Sequence, residues 1–259
     1  MSAQPPPVAV LILLLFAAMM TLLVAGHRLG KRRLAGETDQ ERVGIVSIET
    51  AIFGLMGLIF AFTYSAAAQR FEQRRMLTIQ EANAIGTVYL RLDLLPEPAR
   101  APLQQKVNQY ARATLAAYDA LPDETGFNRA LLKARSLQGE IWAASLSGLR
   151  DSPPAASQLL VPALNDMFDA SVTHEALVHV KTPAAILTSL IVLALLCSAL
   201  AGYGLAGSRA WSRYLHMGGF AVVITGIIYI VLDYDYPRFG FIRVDFADTV
   251  LQSTIAGMK

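Results

Sequence analysis

Four uncharged apolar stretches constrain this chain more than any other feature of its sequence. They cover Val8–Ala25, Thr50–Ala68, Thr182–Ser208 and Tyr214–Leu232. Each is long enough to cross a hydrocarbon core about 30 Å thick, which takes roughly 17–25 residues of helix. Because backbone polar groups in lipid must be paired within their own segment, these stretches are predicted to be helices. We therefore predict an all-α integral membrane protein with four transmembrane helices.

The region between the second and third stretches has a different composition. Residues 69–181 carry twelve Lys or Arg and twelve Asp or Glu. Apolar residues recur there at three- and four-residue steps, as in Ala82, Ile85, Tyr89 and Leu92, which is typical of amphipathic helices. The second stretch is predicted to continue as one long helix to about Leu95. No strand alternation is sustained, so this region is predicted to be an inserted, water-facing helical bundle.

These patterns divide the chain into four parts. The predicted parts are a first transmembrane hairpin at 1–68 (spans about 8–25 and 50–68), a bundle domain at 69–181, a second transmembrane hairpin at 182–232 (spans about 184–206 and 214–232), and a C-terminal turn with a short helix at 233–259. Within the bundle, Pro96, Pro98 and Pro102 indicate a turn, and Asp123–Gly126 indicates a second break.

The first apolar stretch has two interpretations. Residues 1–7 before it carry no Lys or Arg, and a basic cluster that includes Arg28 and Lys31 follows it directly. This pattern indicates a retained helix with a stop-transfer flank rather than a cleaved signal peptide. The four spans predict a multi-pass protein of the inner (plasma) membrane, with the lipid bilayer as its first partner.

Several function classes find no support in the sequence. The formal charge is only +2, and no basic stripe interleaved with aromatic residues indicates nucleic-acid binding. The pair His174 and His179 is five residues apart, whereas a zincin helix needs His at i and i+4. With Asp166 and Asp169, these residues are interpreted as the polar surface of a bundle helix. We expect no catalytic residue, no metal site and no cofactor, and therefore no enzyme.

The second membrane helix carries two stripes at helical spacing. One consists of small residues (Thr50, Gly54, Gly57, Ala61, Ser65) and the other of bulkier residues (Glu49, Phe53, Met56, Phe60, Tyr64). Small stripes let membrane helices pack closely, which is the first interpretation. The second is that one of the faces lines a pore at an oligomer axis. Glu49 faces a cavity or a partner, or else snorkels or stabilises a helix N-terminus.

Polar residues elsewhere are candidates for an internal network. They are Glu81, Asn83 and Arg91 after the second span, and Asp233 and Asp235 at the end of the fourth. Glu81 and Asn83 cannot share one helix face, so we expect them to serve different contacts. The alternatives are a structural network between bundle helices and a site near a vestibule.

Several of these segments resemble the bestrophin-like domain family of bacterial membrane proteins. The resemblance rests on Leu58–Ser65 leading into Gln69–Arg75, on Glu81-Ala-Asn-Ala-Ile-Gly86, on Tyr89–Pro96, and on the terminal turn Asp233…Tyr236-Pro237…Gly240…Val244. It implies a likeness to bestrophins, which are pentameric anion channels with a pore lined by the second membrane helix. No counterpart of the bestrophin calcium-binding cluster is evident.

The resemblance therefore implies a homo-oligomer that passes small anions. The pore-lining candidates would be Glu49, Phe53, Gly54, Gly57, Phe60, Ala61 and Tyr64. The alternative is a non-conducting scaffold or sensor whose helical domain binds a partner. Orientation also stays open, because the basic flank of the first helix favours an external bundle, whereas the resemblance implies a cytosolic one.

Overall fold

The computed structural model describes residues 8–33, 39–121, 123–207, 210–235 and 245–258. Within them the helices are α1 (Val8–Arg33), α2 (Asp39–Arg91), α3 (Glu97–Ala120), α4 (Glu124–Leu149), α5 (Pro154–Val178), α6 (Ala184–Gly204), α7 (Ala210–Asp235) and α8 (Asp245–Gly257). Short 3-10 turns at Leu92–Leu94 and Leu205–Gly207 follow α2 and α6. The part of the predicted terminal turn between Tyr236 and Val244 lies outside the described residues.

The predicted all-α membrane fold is confirmed. Four helices are long and apolar enough to span a bilayer: Val8–Arg32, Gly44–Leu94, Ala184–Gly204 and Trp211–Asp235. No strand occurs in the described part of the chain. With 53 residues, α2 is about 80 Å long at 1.5 Å per residue, so it exceeds the thickness of a hydrocarbon core.

Two predicted turns are wrong in their details. The helix α3 begins at Glu97, so Pro98 lies in its first turn and Pro102 lies inside it. A proline in the first turn costs little because the amide groups there have no partner within the helix. Gly126 lies inside α4, whose start is capped by the Asp123 carboxylate accepting a hydrogen bond from the amide of Thr125 at 3.1 Å.

The chain divides into two compact units. The first unit comprises residues 1–70 and 181–236, and it holds α1, the first part of α2, α6 and α7. In it α1 packs along α6 and α7. Its largest buried apolar side chains include Leu15, Met19, Leu23, Met56, Phe60, Leu190, Met217 and Ile228.

The second unit comprises residues 71–180 and 237–259. It is a helical bundle of the remaining part of α2 with α3, α4, α5 and α8. One apolar core joins all five helices, with Ile85, Leu92, Val107, Tyr110, Ile141, Leu160, Met167 and Leu251 among its buried members. Helix α2 therefore contributes a membrane face to the first unit and buried polar residues to the second.

Candidate functional site

The membrane part of α2 presents two unlike faces within the first unit. Gly54, Gly57 and Ala61 are exposed. Phe60, from the bulkier stripe, is 3% exposed and belongs to the apolar core of this unit. Phe53 is half-buried, and its ring meets the ring of Phe220 edge-on at 6.1 Å between centroids. Of the pore-lining candidates, the small residues therefore lie on the free face and the phenylalanines pack within the first unit.

The glycines of this free face are not required for packing against the residues that the structure describes. A Cβ atom added at Gly54 or Gly57 would meet nothing within 4 Å. Gly202 of α6 differs, because a Cβ there would collide with the backbone of Leu23, and a Cβ at Gly26 would collide with the carbonyl of Ala199. The close helix seam within the first unit is therefore built by α1 and α6.

A shallow apolar groove of about 350 Å³ runs beside this face. Its lining residues are Met56, Gly57, Phe60, Ala61 and Tyr64 from α2 with Ile224 and Ile227 from α7. Near its end, the rings of Tyr64 and Tyr234 meet edge-on at 5.8 Å. Apart from the Tyr64 hydroxyl, the side chains lining the groove are apolar.

Glu49 lies on the inner side of α2. It is 9% exposed, and one of its carboxylate oxygens, Oε1, has no hydrogen-bond partner among the described residues. Its other oxygen lies 3.2 Å from the position that a Cβ of Gly204 would take. Because α2 begins at Asp39, Glu49 is too far along the helix to stabilise the N-terminus. The snorkelling interpretation fails as well, since the side chain is buried in the first unit.

Asp235 organises the other end of the first unit. Its Oδ1 accepts hydrogen bonds from Nε and Nη2 of Arg70 at 3.3 and 3.2 Å, and its Oδ2 accepts one from the amide of Thr182 at 3.0 Å. Arg70 also donates to the Thr182 hydroxyl. The carboxylate therefore ties α2, the entry to α6 and the end of α7 together. Asp233, 4% exposed, lies 3.4 Å from the Tyr229 hydroxyl.

Glu81 forms a buried polar cluster in the second unit. It is fully buried, and its Oε2 lies 2.7 Å from Nδ1 of His174 on α5 and accepts a hydrogen bond from the Tyr118 hydroxyl of α3 at 3.1 Å. The His174 ring stacks on the Tyr118 ring at 4.1 Å between centroids. Nε2 of His174 lies 3.4 Å from the Thr78 hydroxyl. The cluster thus joins α2, α3 and α5.

Burial and the charge of Glu81 act on the tyrosines around it. Burial, reinforced by Glu81, raises the pKa of Tyr110 to about 12. The same two causes raise the pKa of Tyr118 well above its ordinary value. Both hydroxyls therefore keep their protons, and Tyr118 can only donate to the carboxylate.

The other polar candidates lie apart from this cluster. Asn83 is exposed, on a different side of α2 from Glu81. Arg91 donates from Nη1 to the carbonyl of Leu159 on α5 at 2.6 Å. Arg74, which is not among the candidates, is buried, and its guanidinium donates to the carbonyl of Leu177 in the last turn of α5 and to the carbonyl of Val180 just beyond it. A cation there suits the negative end of the helix dipole.

The interpretation of His174 as a surface residue is wrong, because it is 5% exposed, whereas His179, Asp166 and Asp169 are exposed. A signal was present in the sequence. Leu160, Leu164, Met167, Ser171 and His174 recur at three- and four-residue steps, and all of them are buried. Extending this spacing from the apolar residues to the polar residues Ser171 and His174 would have predicted that His174 lies in the bundle core.

No three His, Cys, Asp or Glu side chains come together as a metal site among the described residues. The candidate residues thus form two arrangements, the free face of α2 and the Glu81 cluster. The first arrangement offers an uncharged surface within a membrane segment, and the second offers a buried polar link between α2, α3 and α5.

Comparison with known proteins gives the family and the fold. A family model described as a bestrophin-like domain matches residues 6–247. No curated protein matches the chain. A crystal structure of a single-substitution variant of a bacterial bestrophin homologue from Klebsiella pneumoniae aligns with a TM-score of 0.67 at 18% identity, covering 95% of this chain and 97% of that one.

Two further structures give the same result. Another structure of the Klebsiella pneumoniae homologue aligns with a TM-score of 0.64 at 17% identity, covering 93% of this chain and 97% of that one. A structure described as a membrane protein aligns with a TM-score of 0.66 at 15% identity, covering 94% and 98%. At these identities the likeness concerns the fold.

Proposed function

The chain belongs to the bestrophin-like domain family, and from this premise we propose that it forms a homo-oligomeric channel for small anions in the inner membrane. In this proposal the free face of α2, which comprises Gly54, Gly57 and Ala61, lines the passage around the oligomer axis. The resemblance to bestrophins suggests the activity. The geometry of the free face supports the assignment of the passage to α2.

One observation carries the proposal: the glycines of the free face have no packing role within the subunit. Glycine in a helix interior costs roughly 0.5–1 kcal/mol relative to alanine. Gly26 and Gly202 offset that cost by allowing close backbone contact, but Gly54 and Gly57 have open space beside them. Their small size is explained if the space is used by ions or by another copy of α2.

The charge pattern of α2 is compatible with an anion path. No Asp or Glu occurs between Thr50 and Ala68, so the free face places no negative charge beside a passing anion. Phe60 lies behind the face, in the core of the first unit, and would support the wall rather than constrict it. Glu49 precedes this stretch and is buried in the subunit. The width of the passage would then depend on the small residues of the free face.

The experiment compares two glycines that both have open space around them. Chloride efflux from liposomes is measured for the unmodified protein, for Gly57→Leu and for the control Gly219→Leu on α7, where a Cβ also meets nothing within 4 Å. We expect unmodified protein to conduct, Gly57→Leu to reduce the flux at least about tenfold by narrowing the passage, and the control to conduct normally.

Three outcomes contradict the proposal. A folded, unmodified protein that releases no chloride leaves the alternative of a non-conducting scaffold or sensor. A monomer in detergent, measured by native mass spectrometry, leaves no axis for α2 to line. Equal loss of flux in Gly57→Leu and Gly219→Leu removes the assignment of the passage to α2.

A further inference from the structure

One exposed face of α1 changes from apolar to basic towards the end of the helix. Thr21, Ala25, Arg28 and Arg32 are exposed and recur at three- and four-residue steps, so they lie on the same side of the helix. The Thr21 hydroxyl donates to the carbonyl of Ala17 at 2.8 Å, so this polar group needs no water. The face is therefore suited to hydrocarbon until Arg28.

A shallow groove of about 380 Å³ lies along this face. Met20, Thr21, Val24 and Ala25 line it, together with Arg28. At 1.5 Å per residue, Arg28 lies about 12 Å beyond Met20 along the helix axis. The candidate span ends four residues later, at Arg32. The groove thus combines an apolar floor with a cation at the end that is nearer the membrane boundary.

The basic residues at this end of α1 have no acidic partner within the helix. Residues 8–33 contain no Asp or Glu. No ion pair joins Arg28, Lys31 or Arg32 to an acidic residue in the described part of the chain. Residues 26–48 hold five Lys or Arg and three Asp or Glu, so positive charge remains in excess.

The start of α7 adds a further cation and two exposed aromatic rings. The charges of Arg213 and Lys31 both act on the ring of His27, so α7 begins beside the end of α1. Cζ of Arg213 lies 4.9 Å from the centroid of the Tyr214 ring. Trp211 is 84% exposed and Tyr214 is 59% exposed. Exposed Trp and Tyr at the end of a span are typical of the boundary between membrane and water.

The chemistry of this surface indicates what occupies it. An acyl chain suits an apolar groove within a membrane span, and a phosphate suits the guanidinium at the end of the groove. A free phosphate ion would use the cation and leave the groove without a function. A zwitterionic headgroup carries its own ammonium group, so an excess of basic residues favours a headgroup with a net negative charge.

We propose that the groove on α1 binds one anionic phospholipid of the bilayer, with its phosphate at Arg28 and an acyl chain along Val24 and Ala25. Arg32 and Arg213 add positive charge beside the headgroup. The site lies entirely within the first unit. It depends on the membrane fold and is independent of anion conduction.

Native mass spectrometry of the purified full-length protein tests the headgroup contact. Protein in detergent is titrated with phosphatidylglycerol or with phosphatidylcholine that has the same acyl chains. The unmodified protein should bind phosphatidylglycerol more tightly. Arg28→Gln should weaken this binding roughly fivefold, the effect of one basic residue near an anionic surface, and should leave the binding of phosphatidylcholine unchanged. Arg28→Lys keeps the charge and should retain most of the affinity.

The matched control for charge is Lys181→Gln. Lys181 is exposed and precedes α6, whereas the groove lies at the end of the unit where α1 ends. This variant loses the same single charge and should bind phosphatidylglycerol as the unmodified protein does. An equal loss in Arg28→Gln and Lys181→Gln would reveal a general attraction of the protein for anionic lipid and would overturn the proposal, as would equal affinity of the unmodified protein for the two lipids.

A second pair of variants tests the acyl-chain contact. Ala25→Phe fills the groove and should weaken the binding of phosphatidylglycerol. Val222→Phe adds the same volume difference on α7, at a position that is 59% exposed and does not line the groove, and should bind normally. Unchanged binding in Ala25→Phe would contradict the placement of the lipid, and the proposal would fail with it.

Thermal unfolding separates loss of binding from loss of folding. Because Arg28 is exposed, Arg28→Gln without lipid should unfold at the same Tm as the unmodified protein. Phosphatidylglycerol should raise Tm in the unmodified protein more than in Arg28→Gln, since a ligand that binds only the folded state stabilises it.

An excess of sodium phosphate identifies the source of the anion. It should not displace the bound phosphatidylglycerol, because a free ion lacks the acyl chain that fills the groove. Displacement by phosphate would indicate a site for free anions and would overturn the lipid assignment. A protein that binds phosphatidylglycerol as expected but releases no chloride from liposomes would retain the lipid site and lose the channel.

Discussion

Glycines in this chain have two different roles, which only their surroundings distinguish. Gly202 and Gly26 lie where α1 and α6 approach each other so closely that a Cβ would collide with backbone atoms. Gly204, two residues later, borders the Glu49 carboxylate instead. The sequence offered Gly54 and Gly57 as the close-packing stripe, but within the first unit that role belongs to the α1–α6 seam.

We predict that Gly202→Ala destabilises the protein. The added methyl group must displace the backbone at Leu23, and overpacking of this kind costs about 1–3 kcal/mol. For a chain of 259 residues, this corresponds to a fall in Tm of about 5 °C. Thermal unfolding in detergent, followed by tryptophan fluorescence, measures the change. Gly219→Ala is the control with open space, and an equal fall in both variants would contradict the packing argument.

At the scale of elements, helix ends were the least predictable feature. The sequence Asp123–Gly126 has the composition of a turn, yet it starts α4 because the Asp123 carboxylate binds the free amide of Thr125. The same residue types favour turns and N-caps, since a short polar side chain can satisfy a backbone amide in either. The choice depends on whether an amphipathic stretch follows, and Phe127, Leu131, Ala134 and Leu137 provide one.

We predict that Asp123→Ala lowers the stability of the bundle by about 1 kcal/mol, because the first turn of α4 loses its cap. Hydrogen exchange of the amides in this turn should accelerate, and Tm should fall by a few degrees. Asp151→Ala is the control, since Asp151 is also an exposed aspartate between two helices but makes no helix cap in the structure. Unchanged exchange at Thr125 would contradict the prediction.

At the scale of the whole molecule, cysteine labelling can decide on which side of the membrane residues 71–180 lie. Charge counts around the first helix favour an external bundle. Membership in the bestrophin-like family leads us to propose the cytosolic side instead. The native Cys197 is fully buried, so we expect it to react little with a maleimide and to give low background labelling.

We predict that a cysteine introduced by Glu124→Cys, at an exposed position, resists a membrane-impermeant maleimide in intact cells. It should react after the cells are made permeable. The unmodified protein, with only Cys197, is the control for background labelling. Labelling of Glu124→Cys in intact cells would favour the orientation predicted from charge.

The sequence by itself determined the class of this protein. Hydrocarbon solvates no backbone polar group, so four apolar stretches of sufficient length leave few solutions other than four helices. The apolar period of the middle region determined the helical bundle in the same way, because each amphipathic helix must bury its stripe. These features depend on residue type and spacing along one helix.

Only the tertiary structure decided which residues meet. The Glu81 cluster draws on α2, α3 and α5, and its partners His174 and Tyr118 lie far from Glu81 along the chain. Likewise, the sequence makes Phe60 and Gly57 equally plausible pore residues. In the structure, the other helices of the first unit bury Phe60 and leave Gly57 exposed. Periodicity defines the faces of a helix. Which face is buried depends on the helices packed against it.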